Sequence, residues 1–401
     1  MKFIHTADLH LDTPFRGLQI EDQQILKKIR NSTFVAFENI VDVAIKEQVD
    51  FVIISGDLYD RNVQSITAQL FLNEQFLRLK EKDISVYLVA GNHDYIKSQT
   101  GNFEFPENVF VFPKEVKSFY HNAKDGTKVE LVGFSYSDRW ITDDIAATFP
   151  QKHVDSDYTI GIMHAALKQG HNDNYAPFSK DELLEKGYDY WALGHIHERQ
   201  ILNKDPYIIY PGNTQGRSIK EAGSKGFYLV ETQNKITKVN FLPSNTIEWN
   251  RLEIDGSGLI SMSDVQREID LNVNELSRNI SHFVYVTISN ADNLPLTVIK
   301  SIEDDSFTNS LTPRVFEHNY IVVIKIVVKI TKSKVFSDLD QSFWNRSAEK
   351  VFSPENLENQ ILPLLKNYRY LQNLVRDPNF ISTLRDDTFE LINERKNESD
   401  Q

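Results

Sequence analysis

Short apolar runs alternate with longer amphipathic stretches through the first half of the chain. The runs Lys2–Thr6, Phe51–Ser55, Ser85–Ala90, Val129–Phe134, Tyr158–Met163 and Tyr188–Leu193 read as strands, being short, apolar and bounded by turn residues. Between the first two, Asp22 to Lys46 carries Ile25, Ile29, Phe37, Ile40, Val41 and Ala44 at helical spacing. Thr67 to Lys80 repeats the pattern with Leu70, Phe71, Phe76, Leu77 and Leu79. Ser179-Lys180-Asp181-Glu182 has the form of a capping box that opens another helix. Strands alternating with helices predict an α/β fold, a largely parallel or mixed sheet covered by helices.

The alternation stops near Leu242, and Pro243–Asn250 reads as a connector. From Arg251 to about Lys332 a helical stretch, Val265–Leu276, accompanies strand-like runs at His282–Ser289 and Tyr320–Ile330, which predicts a small α+β domain. Asp338 to Arg395 reads as helical, with Leu357, Ile361, Leu364, Leu365, Tyr368, Leu371, Leu374 and Val375 as its apolar stripe. At 401 residues the chain exceeds one ordinary core. The predicted division is 1–242, 251–332 and 338–401. An apolar fraction of 40% and a charged fraction of 25% are globular values, with disorder expected only at the tail, Asn397–Gln401.

Charge narrows the function classes. The formal net charge is −13, whereas a general polyanion binder tends to be basic, so contact with nucleic acid would rest on local basic patches or bound cations. The chain has no cysteine, so any metal is held by nitrogen and oxygen donors. Met1–Asp8 lacks the character of a signal peptide. No apolar run reaches the ~18 residues of a membrane helix, the longest, Tyr320–Ile330, being interrupted by Lys325 and Lys329. A cytoplasmic protein without membrane association is expected.

Polar clusters follow five of the strands. They are Asp8-Leu9-His10, Gly56-Asp57, Gly91-Asn92-His93-Asp94, His164 and Gly194-His195-Ile196-His197. Ligands of open α/β sheets bind at the carboxyl ends of strands, so five segments would deliver metal-type donors to one rim. Carboxylate, imidazole and amide oxygen suit Mn²⁺, Fe²⁺ or Zn²⁺. Just past a strand end, residues two apart point the same way, so each Asp-x-His or His-x-His pair can reach one site. Gly56, Gly91 and Gly194 are expected to allow sharp turns. Each cluster alone reads more readily as turn chemistry than as a ligand set; the ordered set carries the signal.

In that order, and with Ile4-His5-Thr6-Ala7-Asp8-Leu9-His10 and Tyr210-Pro211-Gly212-Asn213-Thr214-Gln215-Gly216-Arg217 beside it, the chain resembles the calcineurin-like metallophosphoesterases. Within them it is similar to the SbcD-type DNA-repair exonucleases and to their YhaO branch, over Met1 to about Glu231. The resemblance implies a four-layer αββα sandwich, a small capping domain, C-terminal helices and two divalent metal ions, Mn²⁺ first, with Fe²⁺, Zn²⁺ or Mg²⁺ as alternatives. It implies Asp8, His10 and His197 on one metal, Asn92, His164 and His195 on the other, and Asp57 as the bridge. It also implies His93 as the group that protonates or stabilises the leaving oxygen, with Asp94 orienting it. The chemistry agrees. A phosphodiester resists attack because it is anionic, and two cations neutralise that charge and activate water, while a histidine beside the phosphate can act as general acid. Where archaeal and eukaryotic nucleases of this kind have a second histidine, this chain has Asp60.

The resemblance further implies DNA as substrate, an SbcC-like coiled-coil ATPase bound by the C-terminal helices, and a homodimer formed by helices near the stripe after Asp57. A small-molecule phosphodiesterase or phosphatase, and a metal-stabilised scaffold for the ATPase, are the rival functions. His5 is expected on a strand facing a helix, His171 on a loop surface and Arg61 in a structural clamp. Arg217, Lys220 and Lys225 read equally as a solvated loop or as contacts to a DNA backbone.

Overall fold

The structure, a computed structural model, describes residues 1–15, 20, 22–60, 65–95, 104–168, 174–234, 236–330, 346–353, 355–357, 377, 380–385 and 388. Arg61, His171, most of the predicted C-terminal stripe and the tail Asn397–Gln401 lie outside the described residues.

The chain opens with β1 (Lys2–Thr6), α1 (Gln23–Lys46), β2 (Phe51–Ser55), α2 (Ile66–Lys80), β3 (Ser85–Val89) and β4 (Val109–Val111). It continues with β5 (Lys117–Asn122), β6 (Lys128–Gly133), β7 (Tyr158–His164), α3 (Lys180–Glu185), β8 (Tyr190–Gly194), β9 (Gln200–Lys204), β10 (Tyr207–Tyr210), β11 (Gly226–Gln233) and β12 (Ile236–Pro243). These strands form two six-stranded sheets, ordered β12-β11-β1-β2-β3-β4 and β5-β6-β7-β8-β10-β9. The central strands run parallel, with Phe3 opposite Phe51 and Ile160 opposite Tyr190. Parallel strands covered on both faces are apolar throughout, which is why β2 and β8 are buried at every residue.

The period of two sorts those residues between cores. Ile4, Val52, Ile54, Val86 and Leu88 face α1 and α2, where Phe37, Ile40, Leu72 and Phe76 meet them. Phe3, Phe51, Ile53 and Tyr87 face the second sheet and pack on Leu131, Ile160, Ile162 and Tyr190. On the far side of that sheet Val132, Met163, Trp191 and Leu193 pack on Leu183 of α3. The layers are therefore helix, sheet, sheet, helix, the αββα sandwich expected. Asp22 caps α1 by accepting from Gln24 N and Ile25 N, and the capping box at Ser179 and Glu182 is formed.

Parity corrects one expectation. His5 shares the face of Phe3, so it points into the space between the sheets and not toward a helix. Its Nδ1 accepts from Tyr190 Oη at 2.9 Å and its Nε2 meets Leu193 O at 3.2 Å.

The second half contains β13 (Ile247–Asp255), α4 (Met262–Asn274), β14 (Ser281–Ser289), α5 (Leu296–Glu303), α6 (Ser306–Ser310), β15 (Arg314–Phe316) and β16 (Asn319–Val328). Its strands form a sheet ordered β13-β14-β16-β15. The span read as a connector is therefore mostly strand: β12 runs to Pro243 and β13 starts at Ile247. The three polar residues Ser244 to Thr246 between them form a tight junction held by Ser244 N and Asn245 N on Lys225 O. By contacts the chain resolves into two compact units. One holds Met1–Leu252, Val273–Tyr285 and Leu311–Lys325; the other holds Glu253–Asn272, Val286–Ser310 and the chain from Ile326. The first adds a core of Ile25, Ile29, Ile247, Trp249, Phe283 and Val322. The second buries Val265, Ile269, Val298, Ile299 and Ile302.

Candidate metal centre

All five polar clusters reach one rim of the sandwich. His10 Nε2 lies 3.0 Å from His197 Nε2 and 3.7 Å from Asp57 Oδ2. Asp57 Oδ1 lies 3.5 Å from His164 Nε2, which is 3.0 Å from Asn92 Oδ1. Asp8 Oδ1 is 4.0 Å from His164 Nδ1, and Asp8 Oδ2 accepts from the backbone N–H of His195 at 3.1 Å. The His195 ring lies beside that of His164, centroids 5.2 Å apart. The seven residues predicted as ligands are thus brought together. Two overlapping donor sets of suitable span are present, Asp8, His10 and His197, and Asp8, Asp57 and His164. Asp8 belongs to both sets.

The backbone bends sharply to achieve this. Asp8, His10, Asp57 and His195 have φ of 52°, 43°, 52° and 99°, a left-handed region that costs on the order of 1–3 kcal/mol for a side-chain-bearing residue. Strain gathered at the donors of one site points to a function for the site. The glycines act differently from expectation. Only Gly56 among the three has positive φ, at 91°. Gly91 and Gly194 serve by lacking a side chain: a Cβ at Gly91 would strike the Asp57 carboxylate, and one at Gly194 the Ser55 carbonyl.

Hydrogen bonds behind the donors turn their lone pairs inward. His164 Nδ1 donates to Ser55 O at 3.0 Å, so its Nε2 faces the Asn92 oxygen as one acceptor facing another. His197 Nδ1 donates to Glu221 Oε1 at 2.7 Å, which turns its Nε2 toward His10. The buried Nδ1 of His10 has no hydrogen-bond partner. Burial holds His164 down to about 3 and His195 to about 2, so both are neutral at physiological pH. Burial, then Asp57, holds the Asp8 carboxyl well above the usual carboxylate range, and burial raises Asp57 as well. Opposed acceptors and crowded carboxylates are what a divalent cation satisfies, and the N/O donor set suits a hard or borderline metal.

The residues beside the donors settle in a different pattern from the one implied. The N–H of His93 binds Asp57 Oδ1 at 3.1 Å, and its Nδ1 donates to the carbonyl of Asp60 at 2.6 Å. Its Nε2 therefore faces the site, 4.0 Å from Asp57 Oδ2, on a side chain that is 38% exposed. Asp94 accepts instead from Gly91 N at 2.6 Å and Leu58 N at 2.8 Å. It ties the two donor loops together, and Asp60 is what holds His93. Burial, with Asp57 next, pushes Asp94 up to about 7.

Sequence reasoning missed Glu221 and misread Arg217. Arg217 donates to Asp60 Oδ1 at 2.9 Å and to Glu221 Oε1 at 3.0 Å, so it is neither a solvated loop residue nor a free backbone contact. Burial works against the Glu221 carboxylate, yet the bonds from His197 and Arg217 outweigh it and hold its pKa well below the usual range. Lys225 Nζ donates to His197 O at 3.2 Å. Only Lys220 remains exposed. A carboxylate four residues after Arg217 in the last motif was the available signal. Tyr175, whose ring lies 4.3 Å from that of His195, had none.

Over its first half the chain resembles a metallophosphoesterase domain in fold and in donor set. Residues 1–199 match the family model described as calcineurin-like phosphoesterase, which places that segment in the calcineurin-like metallophosphoesterase superfamily, whose members depend on a dinuclear metal centre. The chain is 43% identical over 262 residues to the metallophosphoesterase YhaO of Bacillus subtilis, covering 64% of this chain and 63% of that protein, less than two thirds of its length. It is 24% identical over 322 residues to the DNA double-strand break repair protein Mre11 of Sulfurisphaera tokodaii, covering 78% of this chain and 71% of that one. A dimetal phosphatase from Danio rerio aligns over 61% of this chain and 96% of its own at 12% identity and a TM-score of 0.37, too remote a likeness to build on. None of the described helices is long and apolar enough to cross a membrane.

Proposed function

We propose that the protein is a Mn²⁺-dependent DNA exonuclease of DNA repair that works with an SbcC-like coiled-coil ATPase. The observation that carries the hydrolytic part is the convergence of Asp8, His10, Asp57, Asn92, His164, His195 and His197 on one rim. The DNA part is supported by similarity to Mre11 proteins over 322 residues, a span that must run beyond the phosphoesterase segment.

In this reading Asp8, His10 and His197 would hold one metal and Asn92, His164 and His195 the other, with the Asp57 carboxylate shared between them. When bound, the metals neutralise the phosphodiester and activate the attacking water. The protein's own groups do the rest. Glu221 and the Ser55 carbonyl keep His197 and His164 in the ligand tautomer. Asp60, through its carbonyl, keeps a proton on His93 Nδ1 and aims Nε2 at the leaving oxygen; as the imidazolium, His93 would give that oxygen its Nε2 proton and return to the neutral Nδ1–H form. Arg217 carries positive charge into the site while it orients Asp60 and Glu221.

Exposed Ile66, Leu70 and Leu77 on α2, at 74%, 55% and 41%, support the homodimer, which fails if light scattering at micromolar protein finds monomer alone. The deciding experiment is degradation of end-labelled duplex and hairpin DNA with Mn²⁺, Mg²⁺ and Zn²⁺, with Asp57→Ala as control. Metal-loaded protein that leaves every DNA end intact refutes the exonuclease. The net charge of −13 favours the second reading, a small-molecule phosphodiesterase, and turnover of cyclic nucleotides in preference to DNA at equal metal would establish it.

A further inference from the structure

The loop after β6 is pinned at both ends beside candidate metal ligands. At one end the Tyr136 ring meets the His164 ring edge-on, centroids 5.7 Å apart. At the other, Ile141 bridges to Tyr175, with Ile141 N donating to Asn174 O at 3.0 Å and Ala176 N to Ile141 O at 2.8 Å. The Tyr175 ring in turn lies against His195. Between these pins, residues 137–140 are exposed.

That exposed stretch carries an aromatic and a cation together. Trp140 is 55% exposed, whereas the other described tryptophans, Trp191 and Trp249, are 0% and 3% exposed. The Arg139 guanidinium lies 5.1 Å from the centroid of the Trp140 ring. Folding gains by burying an indole, yet this loop holds one outward on the side of the molecule where the donors converge. Trp140 is one peptide, ~3.8 Å, from Ile141, and a bridged residue lies about 4.8 Å across. The Trp140 Cα is therefore within about 9 Å of that of Tyr175, no more than about three base steps at ~3.4 Å each. Of the acidic neighbours, Asp138 accepts from the Arg139 N–H at 2.7 Å and Asp144 pairs with Lys168 at 2.8 Å.

We infer that Arg139 and Trp140 form a stacking platform for an unpaired base of a DNA strand whose phosphate lies at the metal rim. The indole offers its π-face to any base, and the guanidinium polarises the stack and meets the adjoining phosphate. In a chain of net charge −13 such a platform gives strand affinity without a broad basic surface. This inference rests on the nuclease reading above.

The test uses the full chain with Mn²⁺ and a fluorescein-labelled oligothymidylate carrying hydrolysis-resistant phosphorothioate linkages. Binding is read by anisotropy and by tryptophan emission. Trp140→Ala raises the Kd about 5- to 150-fold, the range for one lost base stack, and Trp140→Phe recovers part of the loss. Arg139→Gln lowers the salt slope by about 0.7, one phosphate contact on a single strand. Wild-type emission is quenched on binding, and that quench is absent in Trp140→Ala. A Trp140→Ala Kd less than about fivefold above wild type overturns the platform. Cleavage of the unmodified oligonucleotide separates the two claims. A wild type that cuts DNA while Trp140→Ala binds it equally well loses the platform alone. A wild type that cuts no DNA loses the nuclease reading and the platform with it.

Discussion

Gly194→Ala tests whether the second sheet sets the metal ligands through the first. The added Cβ would collide with Ser55 O, lie 2.9 Å from Ser55 C and stand 3.1 Å from His164 Nδ1. Ser55 O is the acceptor that holds the His164 tautomer, at 3.0 Å. Ser55 is fixed from its other side too, since its Oγ donates to Ala192 O at 3.1 Å and stands 3.3 Å from His5 Nε2. The carbonyl cannot retreat without separating the sheets, so the methyl group acts as overpacking, at about 1–3 kcal/mol. In a domain of this size that is a fall in Tm of about 2–4 °C per kcal/mol. Disturbing a bond behind a metal ligand weakens metal binding about 10- to 100-fold. Thermal melts in EDTA read the first effect and titration calorimetry with Mn²⁺ the second. Gly258→Ala is the control, because its Cβ would meet nothing within 4 Å. A variant with wild-type Tm refutes the steric argument. One that melts early yet binds Mn²⁺ as wild type does refutes the link from Ser55 to His164.

Glu221→Gln removes the carboxylate 2.7 Å from His197 Nδ1, and Mn²⁺ affinity should fall about 10- to 100-fold while the far-ultraviolet circular dichroism is kept; unchanged affinity counts against it. Mn²⁺ at a hundred times its Kd should raise the unfolding free energy by about 2.7 kcal/mol, a shift visible in melts and lost in Asp57→Ala. Burial lowers His5 from 6.5 to about 3, so below pH 6.5 the unfolded chain binds the extra proton and stability falls as pH drops toward 3. Metal-free His5→Gln should show a slope shallower by about one proton, ~1.4 kcal/mol per pH unit; urea melts at successive pH values with parallel slopes would exclude this.

The strands and most helices of the sandwich were legible because each rests on local periodicity. Lys2–Thr6, Phe51–Ser55 and the α1 stripe lie where the apolar spacing put them. The junction at 243–250 was not, because its polar residues pair with Lys225 and Gln215, about twenty to thirty positions away. His5 was misplaced because its parity with Phe3 shows only that the two share a face, and which face meets the second sheet is decided by packing.

At the site, residue types and order identified donors at strand ends, since a turn after a buried strand is a local property. Chain order gave the five polar clusters, the absence of cysteine limited them to nitrogen and oxygen donors, and the family resemblance singled out the seven candidates among them. The tertiary structure decided how they are held. His164 is oriented by Ser55, 109 residues before it, and Arg217 meets Asp60 across 157 residues. Asp94 turned out to tie loops together while the Asp60 carbonyl took hold of His93. Such pairings depend on how two sheets stack, and no local pattern encodes the distance between residues that only packing brings together.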